Sequence, residues 1–161
     1  MSIVDRLIYD RTDEERDALE ALYAKAKAGN ATDEEMAILA DPAHKGAYNY
    51  TDLNRVGEAI VYIANRLKAA GNDIEVSPKT NWTSDDIPAP AQINHYLKQV
   101  QKVRDVLTVY QTTPVVPADM EGLTHTEAND IEKILVDVDQ LITNMIDAYY
   151  YSGELYGGEV Q

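Results

Sequence analysis

The chain has 161 residues, enough for one domain with its own core, and a formal charge of −14. It has no cysteine, which excludes disulfides, thiolate metal sites and a catalytic thiol. The charge is concentrated late: Asp119 to Gln161 holds ten acids against one base, Lys133, a surface that repels a phosphate backbone and an anionic membrane alike.

The opening Met-Ser-Ile-Val-Asp-Arg lacks a basic region followed by an apolar run, so no secretory signal is expected. No apolar stretch approaches the roughly 20 residues of a membrane span. Both point to synthesis in the cytoplasm. Residues 1–11 are short and mixed and predict an extended arm. Thr12-Asp13-Glu14-Glu15 then reads as a capping box, with the Thr12 hydroxyl on free N–H groups and Glu15 reaching back. The helix that it opens runs to about Ala28 and stops at Gly29-Asn30. Its Leu19, Leu22 and Tyr23 form a weak apolar side, which predicts a helix packed across the main body or projecting from it. Thr32-Asp33-Glu34-Glu35 repeats the box and opens a short helix barred by Pro42.

Thr51-Asp52 is expected to cap the first long helix. There Leu53, Val56, Ile60, Ile63, Leu67 and Ala70 step by threes and fours, one buried stripe, until Gly71-Asn72. Residues 72–90 carry Pro78, Pro88, Pro90 and the single Trp82 in a polar run, an ordered connection if the indole packs. The next helix starts near Ala91 with Ile93, Tyr96, Val100, Val103, Leu107 and Tyr110 in the same rhythm. Thr112 to Gly122 connects it to a third capping box, Thr124-His125-Thr126-Glu127. The longest helix follows, with Ile131, Ile134, Val138, Leu141, Met145 and Ala148, widened by Leu135, Ile142 and Tyr149. Gly153 is expected to end it and release a tail.

Three stripes of similar length predict an all-α fold: three long antiparallel helices in a bundle plus one or two shorter N-terminal helices. Residues 1–161 form a single domain in this reading, with 1–50 as arm and short helices, 51–153 as the bundle and 154–161 as the tail. Lys98, Lys102 and Arg104 are expected to face the acidic last helix and select register.

Motifs that carry chemistry are scarce. Asn30-Ala-Thr32, Asn49-Tyr-Thr51 and Asn81-Trp-Thr83 match a glycosylation triplet, but two of the threonines fall where a helix needs a cap. His44, His95 and His125 lack a metal-ligand spacing. Asp130 with Asp137, and Glu132 with Asp139, share a helix face but lie two turns apart, about 10 Å, as on a solvated flank. No phosphate loop, nucleophile elbow or zinc-protease motif occurs, so no catalytic, cofactor-binding or metal residue is nominated. Phe is absent while Tyr occurs 11 times, and Tyr suits half-wet edges. The closing Tyr149-Tyr150-Tyr151-Ser-Gly-Glu-Leu155-Tyr156 reads as a helix end folded back on the bundle or as an aromatic docking strip, with Tyr150, Tyr151, Leu155 and Tyr156 as partner contacts.

Four blocks, Tyr9 to Asp13 with Lys45 to Val56, Lys79 to Thr83, Ala128 to Leu135 and Tyr151 to Glu159, resemble an uncharacterised helical domain of tail-region proteins from phages and prophages of Gram-positive bacteria. The resemblance implies a non-enzymatic virion structural or assembly module of tail, baseplate or fibre, made in the cytoplasm. Its partners would be other virion or phage proteins, or copies of itself, with no nucleic acid and no membrane. A host-side or prophage-borne protein-binding adaptor is the alternative; a small hydrolase with an unrecognised carboxylate site is a third.

Overall fold

The computed structural model describes the backbone of residues 1–159 and the side chains of residues 1–150. A 3-10 turn, Ile3–Arg6, precedes α1 (Asp13–Lys27), α2 (Asp33–Ala40), α3 (Tyr50–Ala69), α4 (Pro90–Val106) and α5 (His125–Glu159). The described residues are all-α, as expected.

The capping signals at α1, α2 and α5 do what their residue types allow. Thr12, Thr32 and Thr124 each accept the N–H of the glutamate three residues on, whose carboxylate accepts in return. At α3 the cap is Asn49 rather than Thr51, because the Asn49 carboxamide accepts the Thr51 N–H at 2.9 Å and Asp52 reaches back to the Asn49 N–H at 2.8 Å. Gly29 (φ 77°) and Gly71 (φ 92°) adopt the left-handed turn, and the next residues, Asn30 and Asn72, donate back to Lys25 and Leu67. α4 ends at Val106, so Tyr110 lies in the connection rather than on the helix stripe, and its hydroxyl accepts from Asn144 at 3.1 Å.

α3, α4 and α5 pack against one another in all three pairings. Their largest fully buried apolar side chains are Val56, Ile60, Ile63 and Leu67 of α3, Val100 and Val103 of α4, and Ile131, Ile134, Leu135, Val138 and Ile142 of α5. Of the other expected core positions, Leu53 is buried, Ile93 and Leu107 pack at the margin, and Met145 is only partly buried. Val4 and Leu7 of the N-terminal arm join the same core, so the arm is a packed strap.

The expected antiparallel order is corrected: the three long helices ascend together. Arg55 of α3 pairs with Glu132, and Arg66, three turns higher, reaches Asp139 and Thr143, so α3 and α5 are parallel. From Asn72 the connection turns down along α3: the Lys79 carbonyl passes Gly57, and the Trp82 backbone is held by Asn54. The same segment descends α4, where Glu75 meets Lys102 and Ser77 meets Gln99, so α4 also ascends. The second connection descends α5, with Tyr110 beside Asn144 and Thr113 bonded to Asp137. An extended chain covers about 3.3 Å per residue, so ten residues span a helix of about 30 Å, and both connections are long enough to return. Ile74, Val76, Val109 and Val116 along them pack against the core, which gives the return path apolar surface to bury.

Lys102 and Arg104 do not face the acidic helix. They donate to the backbone carbonyls of Glu75 and of Pro114 and Thr113 in the two descending segments. The charge pairing with α5 comes instead from Arg55 and Arg66 of α3 and from Arg11 of the arm.

α1 and α2 form a hairpin tied by Lys25 and Glu35 at 2.6 Å. α1 rests on the loop before α3, where a Cβ on Gly46 would come within 2.5 Å of the Glu15 carbonyl oxygen. α2 buries none of its residues, so the hairpin projects.

Helix geometry continues through Gly153 to Glu159, which corrects the expected stop and tail. Arg66 near the top of α3 sits level with Asp139 and Thr143. The turns of α5 from about Ile146 therefore extend roughly 20 Å beyond α3. Ile146, Asp147, Ala148, Tyr149 and Tyr150 are all exposed there.

Candidate functional site

At the foot of the three helices the arm is locked to α3 and α5 by three buried charges, Arg11, Asp52 and Glu132, and the partly exposed Arg55. The side chains of Arg11, Asp52 and Glu132 are 2%, 6% and 0% exposed and that of Arg55 is 14% exposed, which makes this a desolvated network. Arg11 donates to Glu132 at 2.6 Å and Asp52 at 3.0 Å; Arg55 donates to Glu132 at 2.6 Å and Asp52 at 2.5 Å. Glu132 also accepts the Ile8 N–H at 2.7 Å, and Asn129 bonds both the N–H and the carbonyl of Arg11. Burial disfavours the charged Arg55 guanidinium, but its bonds to Glu132 and Asp52 outweigh that and hold its pKa above the ordinary arginine value. Two cations and two anions cancel, and the carboxylate oxygens are occupied. The arrangement is a clamp; it offers no carboxylate free to take a proton from a substrate.

Two tyrosines close the clamp from above. Arg11 lies over the Tyr48 ring, 5.3 Å from its centroid, and the Tyr48 and Tyr96 hydroxyls bond each other. Burial, reinforced by Glu132 for Tyr48 and by Tyr48 itself for Tyr96, holds both phenols well above the ordinary tyrosine pKa.

Trp82 is 5% exposed, buried as expected, with Lys79 over its ring at 4.0 Å. Asn54 accepts its backbone N–H at 2.7 Å and donates to its carbonyl at 2.9 Å. The indole separates two open clefts. One, of about 390 Å³, is lined by Ser77, Lys79, Gln92, His95 and Tyr96. The other, of about 560 Å³, lies between α1 and the foot of the helices, with Leu53, Ile93, Met120 and Leu123 on its floor.

The residues nominated from the sequence fall elsewhere. Tyr150 lies on the extending part of α5, 64% exposed, while the side chains of Tyr151, Leu155 and Tyr156 are outside the described residues. The histidines are scattered: His44 accepts the Gly46 N–H, His95 bonds the Ser77 carbonyl, and His125 stands 3.1 Å from Asp13. Among the described residues no cluster of three metal-binding side chains occurs, and no helix is long and apolar enough to cross a membrane. The reading of α5's acids as a solvated flank is corrected, because Glu132 is in the clamp, Asp137 is buried against Thr113 and Lys133, and Asp139 pairs with Arg66.

Sequence reasoning missed the clamp, although one signal was present. Glu132 stands four residues after Ala128 and three before Leu135, both buried, so it occupies the apolar stripe itself. A carboxylate there needs a cation, and Arg11 gives no periodic sign of being one. Comparison with family models, curated proteins and solved structures finds no match to the chain.

Proposed function

We propose that this chain is a non-enzymatic structural or assembly module of a phage or prophage virion, associated with the tail, baseplate or a fibre, and that the extending turns of α5 dock on another virion protein. The observation that carries the reading is α5 itself. The helix backbone continues for about fourteen residues past the end of α3, the length at which an isolated helix is marginal in water. Gly153, Gly157 and Gly158 lie in that stretch, each about 1 kcal/mol worse than Ala in a helix interior. Such a helix gains its stability from a surface to lie on, and Tyr149 and Tyr150 bring the residue type favoured at interfaces. The resemblance adds support of a different kind. Three of its blocks supply Arg11, Asp52, Arg55 and Glu132 of the clamp and the buried Trp82, which are fold-locking residues.

Mass spectrometry of purified particles after prophage induction tests the role. The chain should be present, and a version ending at Asp147 should fold but be lost from particles. A chain absent from particles would favour the cytoplasmic adaptor. A shortened chain that still enters particles would remove α5 as the docking element.

A further inference from the structure

We propose that a small cavity where α1, the loop before α3 and the first turn of α5 meet holds one inorganic anion of about chloride size. The ion seats the α1–α2 hairpin on the body. The inference goes beyond the virion reading and does not depend on it.

The cavity measures about 50 Å³ and borders the clamp at Arg11. Liquid water takes about 30 Å³ per molecule, so the space suits one or two waters or one such anion, and no organic ligand. Its walls choose between them. Arg11, Arg16, Lys45 and His125 line it and no acid does, in a chain with 28 acids against 14 lysines and arginines. The carboxylates that pair with Arg16 and Lys45 stand outside it: Asp13 and Asp17 on Arg16, and Asp10 on Lys45, with side chains 61%, 63% and 67% exposed. An ion in the cavity therefore has cations as its nearest charged neighbours.

Hydrogen bonding points the same way. Among the described residues three buried side-chain polar atoms have no hydrogen-bond partner, and two of them, Arg11 Nε and His125 Nδ1, belong to residues of this wall. Arg11 commits its other two nitrogens to the clamp and to the Ile8 carbonyl. Its Nε–H, in a side chain 2% exposed, is left without an acceptor. His125 Nδ1 stands 3.1 Å from Asp13 without a hydrogen bond to it, and the nearby carboxylate favours a proton on that nitrogen. His125 also opens α5. The Thr124 hydroxyl takes the Glu127 N–H and the Thr124 carbonyl takes the Ala128 N–H. The His125 and Thr126 N–H groups remain, at the positive end of a long helix. An anion satisfies such donors and asks for nothing in return, whereas a water brings two hydrogens to a wall with no carboxylate to receive them. The four side chains come from the arm, α1, the loop before α3 and α5, so one ion between them ties the base of the hairpin to the body.

Thermal unfolding of the full chain in sodium chloride against sodium gluconate at equal ionic strength tests the site, because gluconate is too large to enter. An ion that binds only the folded chain adds a constant stability for each tenfold rise in its concentration. For a domain of this size that shifts the midpoint by roughly 3–6 °C. Chloride should produce the shift and gluconate should not. Lys45→Gln and His125→Gln each alter one partly exposed wall residue; both should keep the parent's circular dichroism and flatten the chloride response. A general salt effect would act alike on parent and variants. Arg16→Gln takes the place of either variant that unfolds. A crystal grown in bromide should show its anomalous signal between Arg11, Lys45 and His125. Equal midpoints in the two salts would mean that the cavity holds only water. That result, variants that respond like the parent, or bromide found only elsewhere overturns the inference.

Discussion

Glu132 is the residue on which the most charge depends. Its fully buried carboxylate faces Arg11 and Arg55, so removing its charge leaves the buried Arg11 and the largely buried Arg55 sharing Asp52. Losing one partner of a buried pair costs about 3–5 kcal/mol, whereas an exposed pair is worth at most about 1 kcal/mol. Glu132→Gln should therefore lower unfolding stability in urea by about 3–5 kcal/mol. Glu58→Gln, which breaks the exposed pair with Arg6, should shift it by less than about 1 kcal/mol. Equal effects would mean that the clamp is solvated. The tyrosine pair gives a signed pH dependence. Tyr48 and Tyr96 hold their protons above the ordinary value of about 10, so above that pH the unfolded chain releases protons that the folded one retains. Stability is unaffected below pH about 10 and falls as pH rises beyond it. Ultraviolet titration should show two of the 11 tyrosines resisting ionisation until the fold is lost, and a titration in which all of them ionise together would contradict this.

Elements show what the sequence could and could not convey. The starts of α1, α2 and α5 and the stops of α1 and α3 were legible because caps are local: a hydroxyl with a glutamate three residues on, or a glycine after the last turn. The Asn49 cap, the end of α4 at Val106 and the run of α5 through Gly153 were not legible. Direction was not, because the same apolar stripe serves a parallel or an antiparallel neighbour. Connection length held the missing information, since antiparallel helices usually need only 2–8 residues between them, and both connections here are far longer. Gly57 marks the place where this matters. As a mid-helix glycine it should gain about 1 kcal/mol on replacement by Ala, but a Cβ there would come within 2.9 Å of the Lys79 carbonyl oxygen. Overpacking typically costs about 1–3 kcal/mol, so Gly57→Ala should be neutral to destabilising by roughly 2 kcal/mol. A clear rise in melting temperature would show that the returning segment yields there. Trp82 reports on the same segment. Its fluorescence should be blue-shifted in the native protein and move red in denaturant, and Asn54→Ala should shift it red without denaturant by freeing the Trp82 backbone. An unchanged spectrum in Asn54→Ala would mean that the indole alone holds the segment.

For the whole molecule, one core unites the arm, both descending connections and α3, α4 and α5. Ile63 and Ile134 are each fully buried within it. Replacing either by Asp buries an unpaired charge and should abolish cooperative unfolding altogether. A parent-like thermal midpoint in either variant would contradict the packing. The candidate functional surfaces were less legible than this core. Tyrosine-rich composition pointed to the end of α5, but the cleft at the other pole joins α1, the loop before α3 and two connections. Such a surface has no periodicity to betray it.

The clamp also sets a schedule. Arg11 and Glu132 are separated by 121 residues, and at about 5–20 residues per second the ribosome takes roughly 6–24 s to span that interval. For that time the arm has no carboxylate from α5, and Asp52 is the one clamp carboxylate that Arg11 can meet. The clamp therefore cannot close until the last helix has been made, and the first residues to leave the ribosome wait for nearly the last before they are locked in place.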